Sequence, residues 1–117
     1  ILNNIFFDSN KAVLRKESAV EIEKLVKLLA DYPSIQIEVD GHTDNKGKDA
    51  DNLKLSQLRS QAVVNAVVQK GIAKTRLIAK GFGKTQPIAS NTLPDGKPNL
   101  EGMQQNRRVE LKIIENQ

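Results

Sequence analysis

Ile35, Ile37 and Val39 alternate with Gln36, Glu38 and Asp40, and this alternation limits the chain more than any other feature. A period of two belongs to a strand with one face buried and the other left to polar groups. On either side the period changes. Ala19, Ile22, Leu25, Val26 and Leu29 recur at helical spacing, with Glu21, Glu23, Lys24 and Lys27 turned elsewhere. Leu55, Leu58, Ala62, Val63, Ala66 and Val67 form a second apolar stripe, on a helix expected from about Asn52 to Lys70. Helices of this length between strands imply right-handed crossovers, with both helices packed on one face of the sheet.

The remaining boundaries follow from turn chemistry. Ile5-Phe6-Phe7 reads as a first strand, closed by the turn cluster Asp8-Ser9-Asn10. Ser18 and Glu21 have the spacing of a capping box, although the first helix could also begin nearer Lys16, and Tyr32-Pro33 ends it. Gly41 to Asp51 is a polar loop, and Gly71 is placed to cap the second helix. Leu77-Ile78-Ala79 gives a third strand, closed by a bend at Gly81-Phe82-Gly83. Lys84 to Gln105 is a long polar connection with a tight turn at Asp95-Gly96. In the last strand Val109, Leu111 and Ile113 define the buried side, which turns Arg108 outward. The expectation is a two-layer α/β sandwich of order βαβαββ, a single domain over residues 1–117.

Composition removes several classes of function. No run of about eighteen apolar residues exists to cross a membrane as a helix. There is no charged-then-apolar leader, and the abrupt start at Ile1-Leu2 reads as the cut end of a larger envelope protein. Without cysteine there is neither a disulfide nor a thiolate metal site. The net charge of +4 is spread among alternating lysines and acids, the pattern of a mixed solvated surface. Phe6, Phe7, Tyr32 and Phe82 are the whole aromatic complement, too few for the stacking platforms of a single-strand nucleic-acid reader. His42 is the single histidine, so no triad and no histidine-based metal site can form around it, and hydrogen bonding to loop backbone is its ordinary role. Aspartates 40, 44, 49 and 51 lack the spacing of a calcium loop. No paired carboxylates suggest glycan cleavage. The chain reads as a binder, not an enzyme, with no cofactor and no metal.

The chemistry concentrates between Gly41 and Val67. Gly41-His42-Thr43-Asp44 ends the alternating strand, and Asn52, Leu55, Ser56 and Arg59 follow on the next helix. An aspartate at a strand end and an arginine on the following helix suit a small zwitterion, the carboxylate taking an ammonium and the guanidinium forking onto a carboxylate. The plain alternative is a surface ion pair, worth about 0–1 kcal/mol.

This run resembles the signature of OmpA-like C-terminal domains, the peptidoglycan-binding modules of bacterial envelope proteins. Their pattern is roughly Asn-x2-Leu-Ser-x2-Arg-Ala-x2-Val-x3-Leu after Gly-His-Thr-Asp. The chain keeps Asn52, Leu55, Ser56 and Arg59 and departs at Ser60 and Val67, while Asn106-Arg107-Arg108-Val109-Glu110 matches the closing motif. The resemblance runs from Ile5 to about Ile114 and implies a mixed four-stranded sheet. The ligand it implies is diaminopimelate of the peptidoglycan stem peptide, with Asp44 on the ammonium and Arg59 on the carboxylate. Thr43 and Asn52 would orient it, and Asn10 borders the pocket from the first turn. Arg107 either swings toward the pocket as an auxiliary contact that adds affinity without specificity, or stays a solvated strand-edge arginine. Asp8 is a ligand or a turn former. The implied setting is the periplasm, anchoring an outer-membrane protein or lipoprotein to the cell wall, with the membrane reached only through the missing N-terminal part. A flagellar-stator or other envelope-machine module is the alternative.

Overall fold

Ile37 and Val39 are fully buried beneath two long helices, as the alternation requires. The computed structural model describes residues 3–115, and the Ile1-Leu2 start lies outside them. Strands β1 (Ile5–Phe6), β2 (Ile35–Gly41), β3 (Leu77–Gly81) and β4 (Arg108–Glu115) alternate with helices α1 (Ser18–Asp31), α2 (Asp49–Gln69) and α3 (Leu100–Asn106). The sheet order is β1-β4-β2-β3, with β2 and β3 parallel and β4 antiparallel to both β1 and β2. This is the expected two-layer α/β architecture with a mixed four-stranded sheet.

Register explains the layering. Val39 sits beside Ala79 on one side and Leu111 on the other, so apolar side chains from three strands meet the helices. Ile22, Leu25 and Leu29 of α1 and Val63, Val64 and Val67 of α2 close the core over them. The opposite side of the sheet carries cross-strand ion pairs instead: Lys80 to Glu38 at 2.7 Å and Lys112 to Asp40 at 3.0 Å.

Several boundaries differ from the sequence expectation. The Ser18–Glu21 capping box does not form: Ser18 is already helical, Glu17 stands at the N-cap without a side-chain bond, and Glu21 accepts from Asn3 and Lys24. Helix α2 begins at Asp49, ahead of Asn52, while Gly71 takes the positive φ of a terminating residue, at +99°. Leu58 is half-exposed, and Ser56 and Ser60 occupy the buried face in its place. Ile113 is exposed as well, because β1 pairs only with Arg108 and Val109 and leaves the rest of that edge of β4 open. The polar connection contains α3, whose N-cap Asn99 accepts from the Gly102 N–H at 3.2 Å. The Asp95-Gly96 turn forms as expected, with Gly96 at φ +87° and its N–H on Leu93 O.

Two serines on α2 show why small residues line its inner face. Ser60 Oγ donates to Lys80 O at 2.7 Å, and Ser56 Oγ accepts from the Gly83 N–H at 2.9 Å. A Cβ added at Gly41 would lie 2.0 Å from Ser56 O, so helix and strand touch backbone to backbone. Gly41→Ala is expected to force them apart and lower the unfolding free energy by about 3 kcal/mol. Ser60→Ala, which removes one hydrogen bond, should cost about 1 kcal/mol. Urea titration of both variants measures this order, and a Gly41→Ala protein as stable as wild type would refute the close approach.

Candidate functional site

The strand-to-helix turn after β2 is held from beneath by a buried arginine. Arg59, on the inner face of α2, is 0% exposed. Its Nε donates to Lys11 O at 2.8 Å, Nη1 to His42 O at 2.9 Å and Nη2 to Asp8 O at 3.0 Å. The guanidinium also lies over the Phe7 ring, 5.3 Å from its centroid. Burial pushes its pKa down to about 10, with Asp44 opposing that shift and Arg107 adding to it, so the group is charged at neutral pH.

Asp44 does not pair with Arg59. Its Oδ2 accepts from Arg107 Nη1 at 2.7 Å, and its Oδ1 accepts from the Lys46 N–H at 2.9 Å, closing a local turn. Thr43 Oγ1 donates to Asp44 O at 2.9 Å, and the Thr43 N–H reaches Gly83 O. Arg107 also donates through Nη2 to Gln104 Oε1 at 3.0 Å. That same oxygen accepts from Arg15, and the Gln104 amide donates to Phe7 O.

Above these groups lies a cavity of about 210 Å³, lined among others by Asn10, Thr43, Asp44, Asn52, Arg59 and Arg107. Six of the seven residues singled out from the sequence therefore surround one space. Asn10 adopts φ +58°, a left-handed conformation that asparagine tolerates better than most residues. Asp8 is different. Its carboxylate pairs with Arg15 at 2.7 Å outside this cavity, which holds its pKa below the usual carboxylate range, and only its carbonyl serves the site, through Arg59. Ser9, Lys46 and Gly47, which carry no sequence signal, also line the cavity, as does Leu55 of the helix motif. Gln104 was missed too, because nothing in a polar connection marks one glutamine as the support of an arginine. Two buried donors at the cavity lack partners: Asn52 Nδ2 and Arg107 Nε.

Arg108 and His42 depart from expectation. Arg108 is buried, donating to Gln86 O at 2.9 Å and to Glu110 at 3.0 Å, because the connection before α3 folds over the sheet face on which it stands. His42 makes no hydrogen bond through its ring, which stacks on Phe82 with centroids 5.4 Å apart. Burial, with Arg108 adding and Glu110 opposing, pushes its pKa down to about 4. Of the loop aspartates, Asp40 meets Lys112, Asp49 meets Lys84 and Asp44 meets Arg107.

The sequence pattern of the OmpA family matches residues 6–101. The chain is 44% identical over 110 residues to the photosystem I P700 chlorophyll a apoprotein A2 of Gloeobacter violaceus, an alignment covering 94% of this chain and 13% of that protein. It is 37% identical over 110 residues to outer membrane porin F of Pseudomonas fluorescens, covering 94% of this chain and 32% of the porin. The crystal structure of the peptidoglycan-associated lipoprotein from Burkholderia pseudomallei matches with a TM-score of 0.84 and 25% identity, over 95% of this chain and 89% of that one. The chain spans 13% of the length of the Gloeobacter protein and 32% of that of the porin.

Two stability experiments follow from the geometry. Arg59→Ala removes a donor from three carbonyls, of which only Asp8 O keeps another, the Lys11 N–H, and should lower stability by about 3 kcal/mol, more than Asp44→Ala, which leaves the Arg59 clamp in place. A stable Arg59→Ala protein in urea titration would show that the carbonyls find other donors. For His42 the folded pKa, about 4, lies below the ordinary value of 6.5. The unfolded chain thus takes up the proton first, and stability present above pH 6.5 is lost as pH falls toward 4. A loss of about 2 kcal/mol is expected between pH 7 and pH 5. His42→Phe should keep the stacking on Phe82 and flatten that slope, and an unchanged slope would assign the titration elsewhere.

Proposed function

Because this chain belongs to the OmpA family, with relatives among outer-membrane proteins and lipoproteins and a periplasmic location, we propose that it binds peptidoglycan non-covalently through diaminopimelate. The diaminopimelate side chain ends in an α-amino acid, so a receptor must satisfy an ammonium and a carboxylate within one small space. The observation that carries this reading is a single cavity presenting one carboxylate, Asp44, beside two guanidiniums, Arg59 and Arg107. Asp44 receives the ammonium. The carboxylate is met by Arg59, which uses three of a guanidinium's five donors on backbone, and by the unpartnered Asn52 Nδ2. Thr43 shapes the turn that aims Asp44, and Asn10 closes the near wall. No covalent bond is broken in this reading. Each group matches a ligand charge, and the result is a wall anchor for whatever the parent protein carries.

Sedimentation with insoluble peptidoglycan tests it. Wild-type protein should pellet with sacculi whose stem peptides contain diaminopimelate. It should stay in solution with peptidoglycan carrying lysine at that position, where only a lone ammonium is offered. Asp44→Ala should lose retention, since leaving a buried ligand charge unpaired costs roughly 2–5 kcal/mol. Equal retention on both kinds of wall would sink the zwitterion chemistry, and retention of a folded Asp44→Ala protein would remove Asp44 from it.

A further inference from the structure

We propose that Arg107 sets the selectivity of this pocket as an internal counter-ion, occupying Asp44 until a ligand bearing both an ammonium and a carboxylate parts the pair. The inference rests on the zwitterion reading above and says how that reading excludes simple amines. In the free protein the Asp44–Arg107 pair is nearly dry, with side chains 7% and 12% exposed and 2.7 Å between Oδ2 and Nη1. The other Asp44 oxygen is engaged by the Lys46 N–H. An incoming ammonium therefore meets a carboxylate that is already neutralised.

Counting charge pairs decides which ligands enter. A lone amine that takes Asp44 replaces one pair with another and leaves the Arg107 guanidinium largely buried without a partner, a strongly unfavourable state. Arg59 stands close enough to act electrostatically on the same aspartate and to feel Arg107, so the released guanidinium gains no relief there. A zwitterion brings the missing partner with it. Its ammonium takes Asp44, and its carboxylate, already facing Arg59 and Asn52, also accepts from the released Nη1 and from Nε, the donor that has no partner in the free protein. One ion pair becomes two.

Gln104 is the positioning residue of this device. From α3, its Oε1 accepts from Arg107 Nη2 at 3.0 Å and from Arg15 Nη2 at 2.8 Å, while its amide is fixed on Phe7 O at 3.1 Å. Arg107 is thereby tethered at one nitrogen, free to exchange partners at another, and kept at the cavity after it leaves Asp44. Arg107 is thus more than the auxiliary contact the sequence suggests: it determines specificity.

Calorimetric titration of the whole chain tests the exchange, using meso-diaminopimelate and 1,5-diaminopentane, the same molecule without its carboxylates. Wild type should bind the first and bind the diamine far more weakly. In Arg107→Gln the diamine should bind more tightly than to wild type, and diaminopimelate less tightly, reducing the preference at least about tenfold. Gln104→Ala should move the preference in the same direction by a smaller factor. A gain in diamine binding cannot come from a damaged fold. If wild type binds diaminopimelate but neither variant gains affinity for the diamine, the counter-ion role is overturned. If wild type fails to bind diaminopimelate, the functional reading falls, and this inference with it.

Discussion

A guanidinium buried at the junction of three chain segments organises this end of the molecule. Arg59 ties the turn after β1, through Asp8 and Lys11, to the end of β2, through His42. Those carbonyls belong to irregular backbone that no strand partner satisfies, and a buried carbonyl without a donor is costly. One planar cation satisfies all three because its donors diverge in a plane, which a lysine ammonium cannot reproduce. The arginine is structural in its bonds and electrostatic in its reach: it shapes the loops and leaves positive potential beneath the cavity.

The clamp works because α2 lies unusually near the strand ends. Gly41 and Gly81 offer no side chains there, and Ser56 and Ser60 turn the close approach into hydrogen bonds to the loop and to β3. A leucine on this face would lift the helix and withdraw Arg59 from its carbonyls. The apolar stripe of α2 is accordingly confined to its second half, at Val63, Val64 and Val67, over the middle of the sheet. The first half of the helix is polar and buried together, which is how it supplies both a packing surface and a site.

Arg107 lines the cavity between two neighbours that have separate tasks. Asn106 accepts from the Ile88 and Ala89 N–H groups and donates to Ala89 O and Asn91 Oδ1, pinning the long connection. Arg107 turns to Asp44, and Arg108 holds Gln86 O from the opposite side of the sheet. The step from the end of α3 into β4 sets all three in order, and α3 adds Gln104 behind Arg107. The connection is therefore part of the site's scaffold, even though its composition reads as a solvated loop.

The sequence by itself determined the order of the four strands and the two long helices, the buried side of β2, the apolar residues of α1 and the neighbourhood of Asp44, Asn52 and Arg59; it did not show α3. Each of these follows from local periodicity or from a motif whose members lie within a few helical turns. Only the tertiary structure decided which charges meet. Asp44 and Arg107 are far apart in the chain, and their pairing depends on β4 entering the sheet between β1 and β2. The burial of Arg108, the exposure of Leu58 and the tether at Gln104 likewise depend on where distant backbone passes. Periodicity records which side of an element faces inward. It carries no information on how near the next layer comes, and that distance determines whether an arginine meets an aspartate, a carbonyl or water.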